Sequence, residues 1–329
     1  FHINDIPSTY IIVVLQNERI PGKRFATTAC TAHFSLFQEL TMLGRTSINS
    51  SVMNELIPDE RSAIALLQAK GILHQQRSCD CGESMTLSLN GRLTRWRCHR
   101  AQCRKQVSLR DGTRLEGTRL EFSKMVRFVH AWSRKYGTTD FCKNMLGMTA
   151  QAVTKWKSRI REIAAQSLLW SPLRIGGLGF IVEIDESLFS KSKGHRGRAY
   201  PQQWVLGGVC RETGQCYLVP VEDRSGDTVL PIIRDHVRPG TTIMTDKWRA
   251  YNGLSRVGYT HLQVNHSENF VDPETGCHTQ TIEPLWAQLK RGNKLSCGTQ
   301  RTLLQSYLHE FMWRRRVASV ILIIRSCRT

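Results

Sequence analysis

Apolar positions in this chain follow a helical period over much of the first half and a strand period after about residue 175. From Pro58 the stretch DERSAIALLQAKGIL sets Ile64, Leu66 and Leu67 behind Asp59 and Glu60, with Gly71 near its end, which predicts a helix. Three more helical patterns cover 123–135, 139–146 and 149–167, with Ser123 and Thr149 as expected N-caps. Gly147 leaves the short turn of a helix-turn-helix between the last two, and Val153, Trp156 and Ile160 form the packed face of the third. Pro172 and the glycines at 176, 177 and 179 break the pattern and predict a domain boundary near 170–178.

Beyond that break, 180–185, 204–210 and 215–221 read as three successive strands, the last two joined by a Glu-Thr-Gly turn. A helix at 227–237, a buried strand at 241–245, a helix at 248–254 and a strand at 260–264 follow, and helices at 281–290 and 303–316 close the pattern. A three-strand meander followed by alternating helix and strand is the order of a ribonuclease-H-like α/β sheet. Residues 1–57 hold one β-like run at 10–15 among Ser-, Thr- and Asn-rich stretches and receive no assignment. The chain opens on Phe1, as expected of a fragment or an imperfect gene reading, so this stretch is expected to be non-native or disordered.

Charge changes the picture more than bulk composition does. A hydrophobic content of 40% with 22% charged residues is ordinary for a globular chain, but a formal charge of +19 and a pI near 9.8 point to a polyanionic partner. Eleven cysteines in 329 residues are too few for a disulfide scaffold, and no signal-peptide pattern opens the sequence, so a reducing, intracellular setting is expected. The apolar run at 317–324 falls far short of the roughly 20 residues that cross a bilayer, so no membrane partner is expected.

Four of the cysteines are spaced for metal. Cys79-x-Cys81 and Cys98-x4-Cys103 stand sixteen residues apart, with Gly82 after the first pair and strand-like sequence between them. Two short-spaced pairs on facing hairpins supply the soft tetrahedron that zinc takes, with His99 as a spare ligand; four free thiols are the alternative. On the third helix Gln151, Thr154, Lys155, Lys157, Arg159 and Arg161 offer a face for bases and phosphates, against a plain bundle with a solvated basic side.

Two carboxylates close apolar strands, Asp185 in FIVEID and Asp246 in TTIMTD, and Glu283 lies on an expected helix with thirty-six residues between it and Asp246. Three acids from separate elements can hold two divalent cations, and Mg²⁺ or Mn²⁺ suits such hard oxygen ligands. Glu183 shares a strand face with Asp185, and Glu186 is adjacent; Asp185 is preferred because it ends the apolar run. The loop KSKGHRGR adds Lys191, Lys193, His195, Arg196 and Arg198 beside Asp185, a charge suited to DNA phosphates. The polar connection 265–279 is expected to shape the rim of this site, and Trp286 to pack in the core.

The segments IDESLFSKSKGHRGR, WVLGGVCRETG, TDKWRAY, VNHSENFVDPETGCHTQTIEPLWAQLKR and YLHEFMWRRR together resemble the Merlin superfamily of DDE transposases and related bacterial insertion-sequence transposases, over about residues 60–316. By that resemblance Asp185, Asp246 and Glu283 match the catalytic triad, and 79–110 resembles the N-terminal zinc ribbon, with Cys79-x-Cys81 one residue tighter than usual. The resemblance implies cut-and-paste movement of a DNA element, acting on terminal inverted repeats and target DNA as a homo-oligomer, in the nucleus if the source is eukaryotic. The expected organisation is 1–57 unassigned, 58–120 helix plus zinc ribbon, 121–172 helix-turn-helix-like, 178–316 ribonuclease-H-like catalytic domain and 317–329 tail. A domesticated DNA-binding protein and a nuclease without strand transfer are the alternatives.

Overall fold

Helix caps and strand alternation laid out along the sequence are met, with some shifts, in the computed structural model, which describes residues 50–89, 94–189, 203–295 and 301–326. The chain divides into two compact units, Phe1–Arg159 and Ile160–Thr329, and the division falls inside a helix, ahead of the glycines at 176–179.

In the first unit α1 (Ser50–Leu56) and α2 (Glu60–Ala69) precede a small antiparallel sheet of β1 (Thr86–Ser88), β2 (Arg95–Arg97) and β3 (Gln106–Ser108). Asp59 caps α2 by accepting from the Ser62 amide at 2.8 Å. Leu87, Trp96 and Val107 stand opposite one another across the sheet, with Trp96 buried. Three helices follow, α3 (Phe122–Ser133), α4 (Thr139–Leu146) and α5 (Ala150–Trp170). Ser123, the expected cap of α3, lies inside the helix: the Glu60 carboxylate of α2 accepts from the Phe122 and Ser123 amides, both at 2.8 Å. A carboxylate at a helix N-terminus satisfies orphan donors and meets the positive end of the dipole. Thr149 does cap α5, accepting from the Ala152 amide at 3.2 Å. Gly147 ends α4 at φ 61, a left-handed conformation that glycine adopts without a Cβ clash.

The second unit is built on a mixed sheet of β4 (Ile181–Leu188), β5 (Trp204–Cys210), β6 (Cys216–Val221), β7 (Thr242–Asp246) and β8 (Thr260–Val264), in the order β6-β5-β4-β7-β8. The first three strands pair antiparallel, whereas β7 and β8 add in parallel to β4. Helix α6 (Gly226–His236) connects β6 to β7 and buries Val229 and Ile233 against Val182, Ile184, Tyr217 and Ile243 on one sheet face. On the other face α7 (Ile282–Leu295) and α8 (Leu304–Ser326) bury Leu285, Trp286, Leu289 and Leu308 against Val205, Val209 and Leu218. Full burial of each such side chain stabilises by about 1.5–3 kcal/mol. This mixed sheet flanked by helices is consistent with the ribonuclease-H-like expectation.

The expected helix at 248–254 is instead two 3₁₀ turns, Arg249–Tyr251 and Leu254–Val257. Asp246 Oδ1 accepts from the Trp248 amide at 3.0 Å and tightens the exit from β7, and Gly258 ends the second turn at φ 91. Helix α8 runs ten residues past its expected end at 316. Among the described residues no helix is long and apolar enough to cross a membrane.

Candidate functional site

Alternation along β4 sends Val182 and Ile184 to the α6 face of the sheet, and Glu183 and Asp185 to the α7 face. The parallel ladder ends with Glu183 opposite Met244; carried two residues past that last pair, its register would bring Asp185 beside Asp246, whose charge acts on Asp185. Neighbouring strands lie about 4.8 Å apart, so the two carboxylates share one face and one end of the sheet. Helix α7 closes over them: Trp286 Nε1 donates to Asp185 Oδ2 at 3.0 Å. Glu283 stands three residues before Trp286, about 4.5 Å back along the axis and on the same side of the helix, with its side chain exposed. Burial, with repulsion from Asp246 added, pushes the Asp185 carboxyl up to about 6 against the pull of hydrogen bonds from the Glu186 amide and Trp286.

Room for this arrangement comes from a glycine. Gly207 is the antiparallel partner of Asp185, and a Cβ there would lie 2.6 Å from Trp286 Cη2 and 2.8 Å from Cζ2. The indole therefore lies against bare backbone with its N–H aimed at the carboxylate. Trp286 is the core residue expected from sequence, and it also holds a candidate ligand, a role that periodicity does not reveal.

The three acids clustered at 183–186 have different surroundings. Glu183 is fully buried; one oxygen accepts from Arg211 Nε at 2.6 Å, and the other from the Thr281 and Ile282 amides at 2.7 and 2.9 Å. It thus satisfies the first donors of the helix that carries Glu283, and Pro284 in the same first turn has no N–H to satisfy. Arg211 Nη2 in turn donates to the His278 carbonyl at 2.9 Å and meets His278 Nδ1 at the same distance. Glu186 faces the opposite side of the sheet beside Tyr251, where burial and then repulsion from Asp185 and Asp246 push it up to about 7. The 265–279 connection is closed by His266 Nε2 on Thr279 Oγ1 at 2.8 Å, and Asp272 turns back on the Glu274 and Thr275 amides.

Among the described residues, one group of potential metal ligands is gathered within 4.8 Å: Cys79, Cys81, Cys98 and Cys103. Two tight turns present them, with Cys79 N donating to Glu83 O at 2.8 Å and Cys98 N to Lys105 O at 2.9 Å, and Gly82 at φ 86. The Cys79–Cys103 and Cys81–Cys98 sulfur separations are 3.5 and 3.6 Å. Sulfurs about 2.3 Å from a tetrahedral zinc lie about 3.8 Å apart, so the quartet fits that ion in donor type and spacing. Without an ion the quartet shares its charge unevenly: the Glu83 amide lowers the Cys81 thiol to about 7, while burial and the neighbouring thiols push Cys98 up to about 12 and Cys103 upward, so ligation would have to draw protons from the latter two. His99, the spare ligand, is instead bonded to Thr86 Oγ1 at 2.5 Å. The carboxylates Asp185, Asp246 and Glu283 are not gathered within that same distance.

The basic residues of α5 do not all share one face. On α5, Lys155 is exposed, and Gln151 and Arg159 flank it at helical spacing. Lys157 is two residues from Lys155, about 200° around the helix, and so points away. Arg161 is buried, with its guanidinium 4.3 Å from the Tyr307 ring centroid, which removes it from the expected DNA face. Lys191, Lys193, His195, Arg196 and Arg198 lie outside the described residues.

Residues 177–316 match a family described as the ISXO2-like transposase domain. An uncharacterized transposase-like protein of Haemophilus influenzae is 32% identical over 98 residues, which are 30% of this chain and 78% of that relative. Among solved structures, the catalytic core domain of HTLV-2 integrase in complex with magnesium, in its trimeric form, aligns with TM-score 0.27 and 13% identity, covering 43% of this chain and 85% of that one.

Proposed function

This chain belongs to the ISXO2-like transposase family, and we propose that it cleaves DNA at the ends of a mobile element and joins the freed ends to a target, with Asp185, Asp246 and Glu283 as its catalytic carboxylates. The observation that carries this reading is the convergence of three elements: β4 and β7 bring Asp185 beside Asp246, and the helix that bears Glu283 reaches Asp185 through Trp286. All three donors are hard oxygens, the set that Mg²⁺ or Mn²⁺ takes, and an exposed Glu283 is free to close on an ion. Bound there, the ions supply activation of the attacking oxygen and stabilisation of the leaving one. The chain's own share is placement: two carboxylates on a rigid sheet, a third on a helix anchored by Glu183, and an indole that orients Asp185.

In the chemistry proposed, water attacks a phosphodiester in line and leaves a 3′ hydroxyl, and that hydroxyl attacks a second phosphodiester. Zinc on Cys79, Cys81, Cys98 and Cys103 would fix the small sheet of the first unit, and the α4–Gly147–α5 turn would read the terminal repeats through Lys155 and Arg159, with the basic residues at 191–198 adding phosphate contacts. The Merlin resemblance supports cut-and-paste movement by a homo-oligomer, in the nucleus if the source is eukaryotic. The test is cleavage of a duplex carrying the sequence that flanks the gene. Asp185→Asn, Asp246→Asn and Glu283→Gln should each abolish Mg²⁺-dependent cutting while DNA binding persists; near wild-type cutting by any one of them would remove that residue from the triad. Cutting without joining would favour a nuclease.

A further inference from the structure

A groove of about 550 Å³ opens at the turn that follows Asp246 and is lined by Arg224, Ser225, Gly226, Trp248, Arg249 and Ala250. Its two walls are the turn that enters α6 and the turn that leaves β7, tied together by Trp248 Nε1 donating to Arg224 O at 3.2 Å. The same Trp248 donates its amide to Asp246 Oδ1 at 3.0 Å, so the groove begins two residues from a candidate catalytic carboxylate.

Arg224 is the unusual member. Its guanidinium carbon lies 4.1 Å from the Trp204 ring centroid and 4.6 Å from that of Trp248. Two indoles hold the group in place, yet among the described residues the guanidinium makes no hydrogen bond or ion pair. A half-buried guanidinium with engaged faces and unused N–H edges is a prepared fork for a bidentate oxyanion. Arg249 adds an exposed second cation on the same groove, and the nearby Asp223 is turned into its own loop, its Oδ1 accepting from the Ser225 amide at 2.8 Å and from Thr228 Oγ1 at 2.9 Å. Glu186, whose carboxyl burial pushes up to about 7, is the acid within electrostatic reach of Arg224, and the groove lining itself carries two cations and no carboxylate.

We propose that this groove binds a backbone phosphate of the DNA strand that runs on from the reacting phosphodiester at Asp246, with Arg224 as the fork and Arg249 as a second charge. The assignment rests on the transposase reading and extends it to a specific subsite. A DNA strand is preferred to a free anion because the groove is open to solvent and its wall residue Trp248 is bonded to Asp246, so a phosphate held here lies one short turn from the candidate carboxylate.

The experiment uses the full chain and a fluorescent duplex, with anisotropy read at several salt concentrations. Arg224→Met keeps the apolar stem between the indoles and removes the donors. It should weaken binding about tenfold and flatten the dependence of log affinity on log salt by about one unit, without changing the melting temperature. Arg224→Lys keeps the charge but not the fork, so it should restore the slope and only part of the affinity. Arg249→Met, at an exposed position, should also flatten the slope and serves as a second probe if Arg224→Met misfolds. Should wild type bind no duplex, the transposase reading falls and the subsite with it. Should wild type bind and both Met variants match it at every salt concentration, the subsite alone is overturned. Inorganic phosphate that competes as well as the duplex at equal phosphate concentration would make this a free-anion site and overturn the proposal.

Discussion

Replacing Glu183 by Gln removes one negative charge from a fully buried position whose two oxygens meet three donors, at 2.6, 2.7 and 2.9 Å. The amide can still turn its oxygen to the Thr281 and Ile282 N–H groups, but its NH₂ then faces Arg211 Nε, donor against donor. Hydrogen bonds to charged groups contribute about 1.5–3 kcal/mol each, and breaking a buried pair costs about 3–5 kcal/mol. A loss near 3 kcal/mol is therefore expected, which lowers the folded-to-unfolded ratio of this unit by about two orders of magnitude. For a unit of this size each kcal/mol moves Tm by about 2–4 °C, so the shift should be about 6–12 °C, read by thermal melting without metal. Cleavage should fall as well, because the capped helix is the one that carries Glu283. Asp185→Asn is the contrasting variant: its carboxyl is already pushed up to about 6 by burial and by Asp246, so losing the charge should leave Tm unchanged or slightly higher. If Glu183→Gln melts within 2 °C of wild type and cuts normally, Glu183 does not anchor the helix.

Gly207→Ala keeps every carboxylate but drives a methyl to within 2.6 Å of the Trp286 indole; overpacking should cost about 1–3 kcal/mol, and cleavage should drop through loss of the Asp185 hydrogen bond. Trp286→Phe in the same background relieves the contact with the methyl, so stability that is not regained in the double variant would refute the steric account. Metal analysis of the full chain should find one zinc per chain, and a chelator or the Cys79→Ser, Cys98→Ser double change should release it and melt the small sheet at 86–108 while leaving the second unit folded. Retention of zinc by the double variant would place the metal elsewhere.

Element order was legible in the sequence because burial imposes a period wherever a helix or strand has one apolar face. The five strands expected beyond residue 178 all form, with ends shifted by up to three residues, and α4 occupies its expected residues, since Thr138 at its start and Gly147 at its end are local signals that depend on no distant partner. Local signals failed where a distant group took over the work. Ser123 has the chemistry of a cap, yet the Glu60 carboxylate, more than sixty residues earlier in the chain, fills that role for α3. The stretch 248–254 has helical composition, but Asp246 seizes the Trp248 amide and Gly253 must pass close to Leu230, so tight 3₁₀ turns replace a helix.

The same distinction governs the acids at 183–186. Strand alternation shows that Glu183 and Asp185 share a face; it cannot show which of them is already satisfied by the protein. The answer lies about a hundred residues further along the chain, where Thr281 and Ile282 present free amides to Glu183 and Trp286 presents a single N–H to Asp185. A carboxylate that accepts from two helix amides and a guanidinium has little capacity left for an ion, whereas one that accepts from an indole and its neighbour's amide and repels a second carboxylate has an electrostatic reason to take one. The proposal of Asp185 as a ligand, first drawn from the end of an apolar run, therefore rests on the docking of α7 as well. That docking depends on Gly207, because an ordinary side chain opposite Asp185 would displace the indole that distinguishes the two acids.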